Sequence, residues 1–186
     1  MLNGWQTRQA VTTLKQGGVI AYPTEAVWGL GCDPFELAAV ERILEMKRRP
    51  MHKGLILVAG DMAQIDFLLE PLTDEQRQVL SQYWPGPVTF LLPDPLNQIP
   101  RWVKGSHSSV AVRVSQHPVI RQVSESFGGP IVSTSANPAS KEPARDRLKV
   151  NLYFNGVVDT ITGGEVGSLG QPTQIRDLNT GAILRA

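Results

Sequence analysis

Apolar positions along the chain fall into two alternating rhythms, one helical and one extended. Ala10, Val11 and Leu14 recur at helical spacing before Gly17–Gly18, which predicts an amphipathic helix over 5–16. The apolar run at 19–22 is read as a strand that delivers Pro23–Thr24–Glu25 to a ligand. Residues 36–48 put Leu37, Val40, Ile43 and Leu44 on one helical face, and Pro50 ends that helix. The run 54–59 fits a strand buried on both faces, and helical patterns at 61–69 and 73–84 come next. Residues 88–92 and 109–114 read as strands, His117–Pro118 opens a helix to about Phe127, and 131–135 is a strand ending in polar residues. The tail holds an apolar run at 157–161, then a hairpin built from "PTQIRDL" and "AILRA" around Asn179–Thr180–Gly181.

Strands alternating with helices predict an α/β fold with a sheet covered on both faces, and the late hairpin makes that sheet mixed. No internal repeat or low-complexity tract divides the chain. Its 186 residues are read as one domain, 1–186, able to bury a core without covalent staples. The loop at 136–146, "ANPASKEPARD", is too short for a domain linker and is a candidate lid by composition.

Composition changes this picture mainly by exclusion. Hydrophobic content of 41% and charged content of 19% are those of an ordinary soluble globular protein. With a formal net charge of +1, anion binding has to rest on a local cluster of charge. The single cysteine, Cys32, excludes an internal disulfide framework and a cysteine-rich zinc site. His52, His107 and His117 share no ligand spacing, so no metal site is assigned. No apolar run is long enough to span a bilayer and no signal-peptide segment opens the chain, so the expected location is the cytoplasm, with no membrane partner.

Four stretches carry candidate chemistry. Gly29–Leu30–Gly31 follows the first strand, but Pro34 stands where a dinucleotide fingerprint needs its third glycine, so these glycines are read as a turn. "KRRPMHK" (47–53) gathers Lys47, Arg48, Arg49 and Lys53 without one acid. Such a cluster complements a helix C-terminal dipole, and its place between a helix and a buried strand also suits a polyphosphate. "VSTSAN" (132–137) sets Ser133, Ser135 and Asn137 on alternate positions, either to converge on a ligand or to cap their own turn. Arg113 lies inside an apolar strand, where desolvation demands either a structural carboxylate or an anionic ligand. No Ser-His-Asp or Cys-His pairing stands out.

In combination, "YPTEAVWGLGCDP", "KRRPMHKGLIL", "WPGPVTFLLP", "SVAVRV", "IVSTSAN" and "PTQIRD", in that order, resemble the TsaC/YrdC family of threonylcarbamoyl-AMP synthases from about Gly18 to Arg185. The chain stops just after "AILRA" and looks like the short bacterial form, without the extra C-terminal domain of the long form. The resemblance implies a YrdC-like fold: an open, strongly twisted mixed sheet with helices on both faces and a concave, positive cavity. It implies an enzyme that joins L-threonine, bicarbonate and ATP (with Mg²⁺) into threonylcarbamoyl-adenylate and releases pyrophosphate. Partner proteins would pass the adenylate to the adenosine beside the anticodon of tRNAs. By the same resemblance Lys47, Arg49, Ser135 and Asn137 are the catalytic set, with Lys47, Arg49 and Lys53 on the ATP phosphates. Ser109, Arg145 and Arg185 would lie near the nucleotide. Arg113 would pair with the threonine carboxylate, with Thr24, Ser133 and Thr173 around the amino acid and Pro23–Thr24–Glu25 as a wall of the pocket. Two other readings accompany it. One is binding of tRNA or double-stranded RNA, as a ribosome-maturation factor without catalysis. The other is carbamoyl-adenylate chemistry, as in a related domain of the hydrogenase-maturation protein HypF, against which a free-standing 186-residue chain argues.

Overall fold

The computed structural model describes residues 1–185; Ala186, the last residue of the expected hairpin, lies outside them. Helix α1 (Gly4–Lys15) begins in a capping box, where Asn3 and Gln6 satisfy each other's backbone N–H. Strands β1 (Ile20–Pro23) and β2 (Trp28–Gly31) follow, then α2 (Leu37–Lys47) and β3 (Ile56–Ala59). The helical pattern at 61–69 resolves into a 3₁₀ turn and a short helix, α3 (Asp66–Leu69), and α4 (Asp74–Ser81) starts from the Thr73–Gln76 capping box. Next come β4 (Val88–Pro93), α5 (Arg101–Lys104), β5 (Ser109–Val114), α6 (Pro118–Phe127) and β6 (Ile131–Ser135). The chain closes with α7 (Arg147–Phe154), β7 (Thr160–Ile161) and the hairpin β8 (Gln174–Asp177) and β9 (Ile183–Arg185). Among the described residues no helix is long and apolar enough to cross a membrane.

The strands form one open mixed sheet in the order β7-β1-β2-β6-β3-β5-β4-β8-β9. Three parallel pairs (β1 with β7, β3 with β5, β4 with β8) stand among five antiparallel ones, so the sheet is mixed, as the α/β reading with a late hairpin expects. Alternation along each strand sorts side chains into two layers. Ala21, Leu30, Leu57, Phe90, Val112 and Val132 face the larger core, which α2 joins through Val40, Ile43 and Leu44. Ile20, Tyr22, Val58 and Ile131 face the other way, where α1 and α6 cover them with Leu14, Val119 and Val123. Those two helices roof only part of that second face. Farther along the same face, Ile56, Leu91, Ala111 and Arg113 are left under an open cavity.

Two expectations change. Gly29–Leu30–Gly31 is not a turn: it is strand β2, paired antiparallel with β1 and β6. Its glycines are there for close approach, because the Tyr22 ring lies over them. A Cβ on Gly31 would stand 2.6 Å from the Val132 carbonyl oxygen and 2.7 Å from the Tyr22 ring. The run 157–161 contributes only Thr160–Ile161 to the sheet. Its earlier residues finish the turn after α7, whose Val157 and Val158 N–H groups bond back to the Phe154 carbonyl. Gly31→Ala is therefore expected to destabilise the fold by about 1–3 kcal/mol, the range for overpacking a filled site, seen as a lower urea midpoint at unchanged slope.

Candidate active site

The unroofed part of the sheet forms a cavity of about 360 Å³. Its cations are Arg49, Lys53, Lys104, Arg113 and Arg185, and no acidic side chain lines it among the described residues. The near-neutral chain thus has one strongly positive concavity, as the local-cluster reading requires.

One end is built at the exit of α2. Arg48 takes the left-handed conformation (φ 50°) and its N–H bonds back to Glu45 and Leu44, so the helix stops and the chain reverses. The next residue, Arg49, is thrown towards the cavity, where its Nε and Nη2 donate to the Gly54 carbonyl at 3.1 and 2.8 Å. Gly54 has φ 62° and passes so near α5 that a Cβ would lie 2.7 Å from the Lys104 carbonyl oxygen. Lys53, Ser109, Ser135 and Arg185 border the same space. Arg185 is held through Nε and Nη2 by the Thr173 carbonyl at 3.2 and 2.6 Å. Burial first, then repulsion from Arg113 and Arg49, pulls its pKa below the usual arginine value. The charges of Arg113 and Arg49 therefore both reach Arg185.

The other end is built around Arg113 on β5, with a side chain only 5% exposed. Its Nη1 donates to Thr173 Oγ1 at 2.8 Å and its Nη2 stands 3.4 Å from Glu25 Oε2. Ser115 Oγ donates to the other Glu25 oxygen at 2.5 Å. Of the two partners weighed for Arg113, the structural carboxylate is present, and the buried Arg113 Nε and Glu25 Oε2 have no hydrogen-bond partner among the described residues. Thr24, whose hydroxyl donates to the Val27 carbonyl at 2.7 Å, and Ser133 complete this end. Lys104 is likewise neutralised from behind, by Asp94 at 2.7 Å.

Lys47, Asn137 and Arg145 do not border the cavity. Lys47 is buried, and its ammonium donates to the carbonyl oxygens of Ser135 and Asn137 and to Asn137 Oδ1. Asn137 Oδ1 accepts from Ser135 Oγ at 2.6 Å, while its Nδ2 donates to the carbonyls of Pro138 and Lys141. These two residues shape the end of β6 and so aim Ser135. Arg145 donates to the Gly170 carbonyl at 2.6 Å, tying two loops together. The loop at 136–146 is itself anchored: Ala144 is fully buried, its carbonyl accepts from Trp28 N and its N–H donates to Ala136. Its exposed residues are Ala139–Glu142 on one side of that anchor and Arg145–Asp146 on the other, so the free lid expected from composition is reduced to the short stretch 139–142.

Sequence reasoning missed Lys104, His107 and Ser115 as parts of the site, and it put Glu25 on the pocket wall, whereas only Thr24 of that triplet lines the cavity and Glu25 stands behind Arg113 as its partner. Lys104 and Arg113 share a signal that was used for one and not the other, a cation among apolar neighbours. Ser115 lies two positions beyond Arg113 on the same face, which was legible; its carboxylate partner, 90 residues away, was not.

Comparison with known proteins places the chain. A family model for the Sua5/YciO/YrdC proteins, described as telomere recombination, matches residues 12–186. A threonylcarbamoyl-AMP synthase of Marinobacter nauticus is 54% identical over 97% of this chain and 95% of its own length. One of Hahella chejuensis is 50% identical over 99% of this chain and 100% of its own. Among solved structures, P. abyssi Sua5 complexed with L-threonine superposes with a TM-score of 0.88 at 32% identity, over 97% of this chain but 54% of that longer one. E. coli YciO superposes at 0.83 with 28% identity, over 96% of this chain and 87% of its own.

Burial, and next the nearby Arg49, pull the Lys47 pKa from its ordinary 10.5 to about 8. Below about 8 both folded and unfolded chains carry this charge, and above 10.5 neither does. Between them the unfolded chain holds a proton that the folded chain has released, so this group adds stability as pH rises through that window. Unfolding free energies of the wild type should thus gain on those of Lys47→Met from pH 8 to 10.5. At neutral pH the variant should lose about 1–3 kcal/mol, from carbonyls left without a donor.

Proposed function

Because the chain belongs to the Sua5/YciO/YrdC family, we propose that it is a threonylcarbamoyl-AMP synthase working on ATP, L-threonine and bicarbonate in the cytoplasm. The observation that carries this reading is the division of one cavity into two ends. Arg49, Lys53 and Arg185, cations without carboxylate partners among the described residues, suit a triphosphate, and the hydroxyl-flanked, half-neutralised Arg113 suits a single carboxylate.

The chemistry needs little more than this placement. The threonine amine and bicarbonate give a carbamate, one oxygen of which attacks the α-phosphorus of ATP; the bond to the bridging oxygen breaks and pyrophosphate leaves. The carbamate is short-lived, so holding it in line and away from water matters more than any side-chain base. Arg49, Lys53 and Arg185 take up the charge that develops on the leaving pyrophosphate, and Ser135 donates a hydrogen bond. Lys47 and Asn137 act through Ser135, by fixing the strand end that carries it. No cluster of three metal-ligating side chains occurs among the described residues. Mg²⁺ would accordingly ride on the phosphates of ATP and share in neutralising them. The adenylate would be passed to proteins that modify tRNA.

The test is to incubate the purified protein with ATP, Mg²⁺, bicarbonate, L-threonine and pyrophosphatase, then look for threonylcarbamoyl-adenylate by mass spectrometry. An adduct that requires every substrate is expected; none with any of them bound refutes the assignment. Arg49→Ala should lose about 2–4 kcal/mol of transition-state stabilisation, the scale of one removed charge-stabilising donor, read as kcat/KM for ATP.

A further inference from the structure

The five cations of the cavity are treated unequally. Arg49, Lys53 and Arg185 have no carboxylate partner among the described residues, whereas Lys104 is paired with Asp94 and Arg113 with Glu25. The second pair is constructed from behind the cavity wall. Arg113 lines the cavity; Glu25 and Ser115 do not. Glu25 has a side chain 7% exposed, and its backbone carbonyl accepts from Leu169 N at 3.1 Å. Ser115 Oγ donates to Glu25 and accepts from His117 N at 3.0 Å, so the carboxylate is tethered and cannot swing away. With Thr173 on its other edge, the guanidinium is clamped while its Nε remains unused.

Resting on the reading of Arg113 as the carboxylate-binding group, we propose that Glu25 is a specificity-determining residue. Its fixed charge cancels most of the Arg113 field, so that end of the cavity admits a singly charged amino-acid carboxylate and turns away the phosphates of the nucleotide. A carboxylate needs only one directed, charge-assisted contact, which the clamped guanidinium still offers. A polyphosphate depends on summed unpaired positive charge, and the pair contributes less of it than a free cation would. Without Glu25, the unpaired cations would run from Lys53 through Arg49 and Arg185 to Arg113, and phosphates would settle at either end. Glu25 thereby gives ATP its direction and keeps the amino-acid end vacant for its substrate.

Calorimetric titration of the full chain with L-threonine and with pyrophosphate tests this. Wild-type protein should bind one pyrophosphate and take up threonine equally well with or without it. Glu25→Gln should bind a second pyrophosphate, and saturating pyrophosphate should weaken its threonine binding by about tenfold or more, one charge's worth of discrimination. Adding Arg113→Met to that variant should abolish the second pyrophosphate. Ser115→Ala keeps the charge but frees it, so threonine should bind several-fold more weakly with pyrophosphate still at one per chain; this variant decides the matter if Glu25→Gln does not fold, as judged by thermal melting. A folded Glu25→Gln protein that behaves as the wild type, or a Ser115→Ala protein with unchanged threonine affinity, overturns the inference alone. A wild-type protein that binds no threonine overturns the reading of Arg113 and the inference together.

Discussion

A guanidinium set into the middle of a sheet has to meet a counter-charge or stay unfolded, because its desolvation is otherwise uncompensated. Arg113 meets this condition with Glu25, and much of the architecture follows. The pair joins β5 to the β1–β2 connection, across β2, β6 and β3. The long segment that crosses the sheet after β7 is fastened to the same place. Gly167 N donates to the Thr24 carbonyl at 2.9 Å, Leu169 N to that of Glu25, and Thr173 Oγ1 accepts from Arg113 itself. One electrostatic requirement thus fixes the floor, one wall and the rim of the cavity.

The same economy explains how a chain of net charge +1 makes a cation-lined cavity. The acids nearest the cavity, Glu25 and Asp94, are recessed behind the cations they neutralise. The basic run at 47–53 is then divided in use. Lys47 turns inward to backbone carbonyls, Arg48 caps the helix, and Arg49 and Lys53 reach the cavity. The run is thus split between a helix end and a cavity wall, not given wholly to either of the two explanations weighed for it.

Elements with one clean apolar stripe were readable before folding: α1, α2, α6 and the strands β3 to β6 lie where periodicity puts them. Strand β2 was hidden because its two glycines imitate a turn, and only the Tyr22 ring overhead reveals why they are needed. Helix α7 was hidden because it is apolar on both sides: Val150 and Phe154 are buried while Leu148 and Leu152 are exposed. At the site, residues whose chemistry is carried by their own position (Arg49, Ser135, Arg113) were legible. Lys47 was given to the phosphates because spacing shows where a side chain starts and not which acceptors reach it first. Glu25 and Ser115 form one unit through a contact between distant segments, which no local pattern encodes.

The segment 162–173 leaves β7 at one edge of the sheet and enters β8 beside the other, so six strands lie between its two ends. The contacts that fasten it join residues distant in sequence, Gly167 with Thr24 and Thr173 with Arg113, and such contacts are slow to form, since loop-closure entropy is spent before they reward it. Thr173 and Arg185, which border the cavity, come after β7 along the chain. A polypeptide that had folded only β1 to β6 would own four of the five cations yet lack Thr173 beside Arg113, so the cavity is finished only once the chain has crossed the sheet and β8 and β9 have paired.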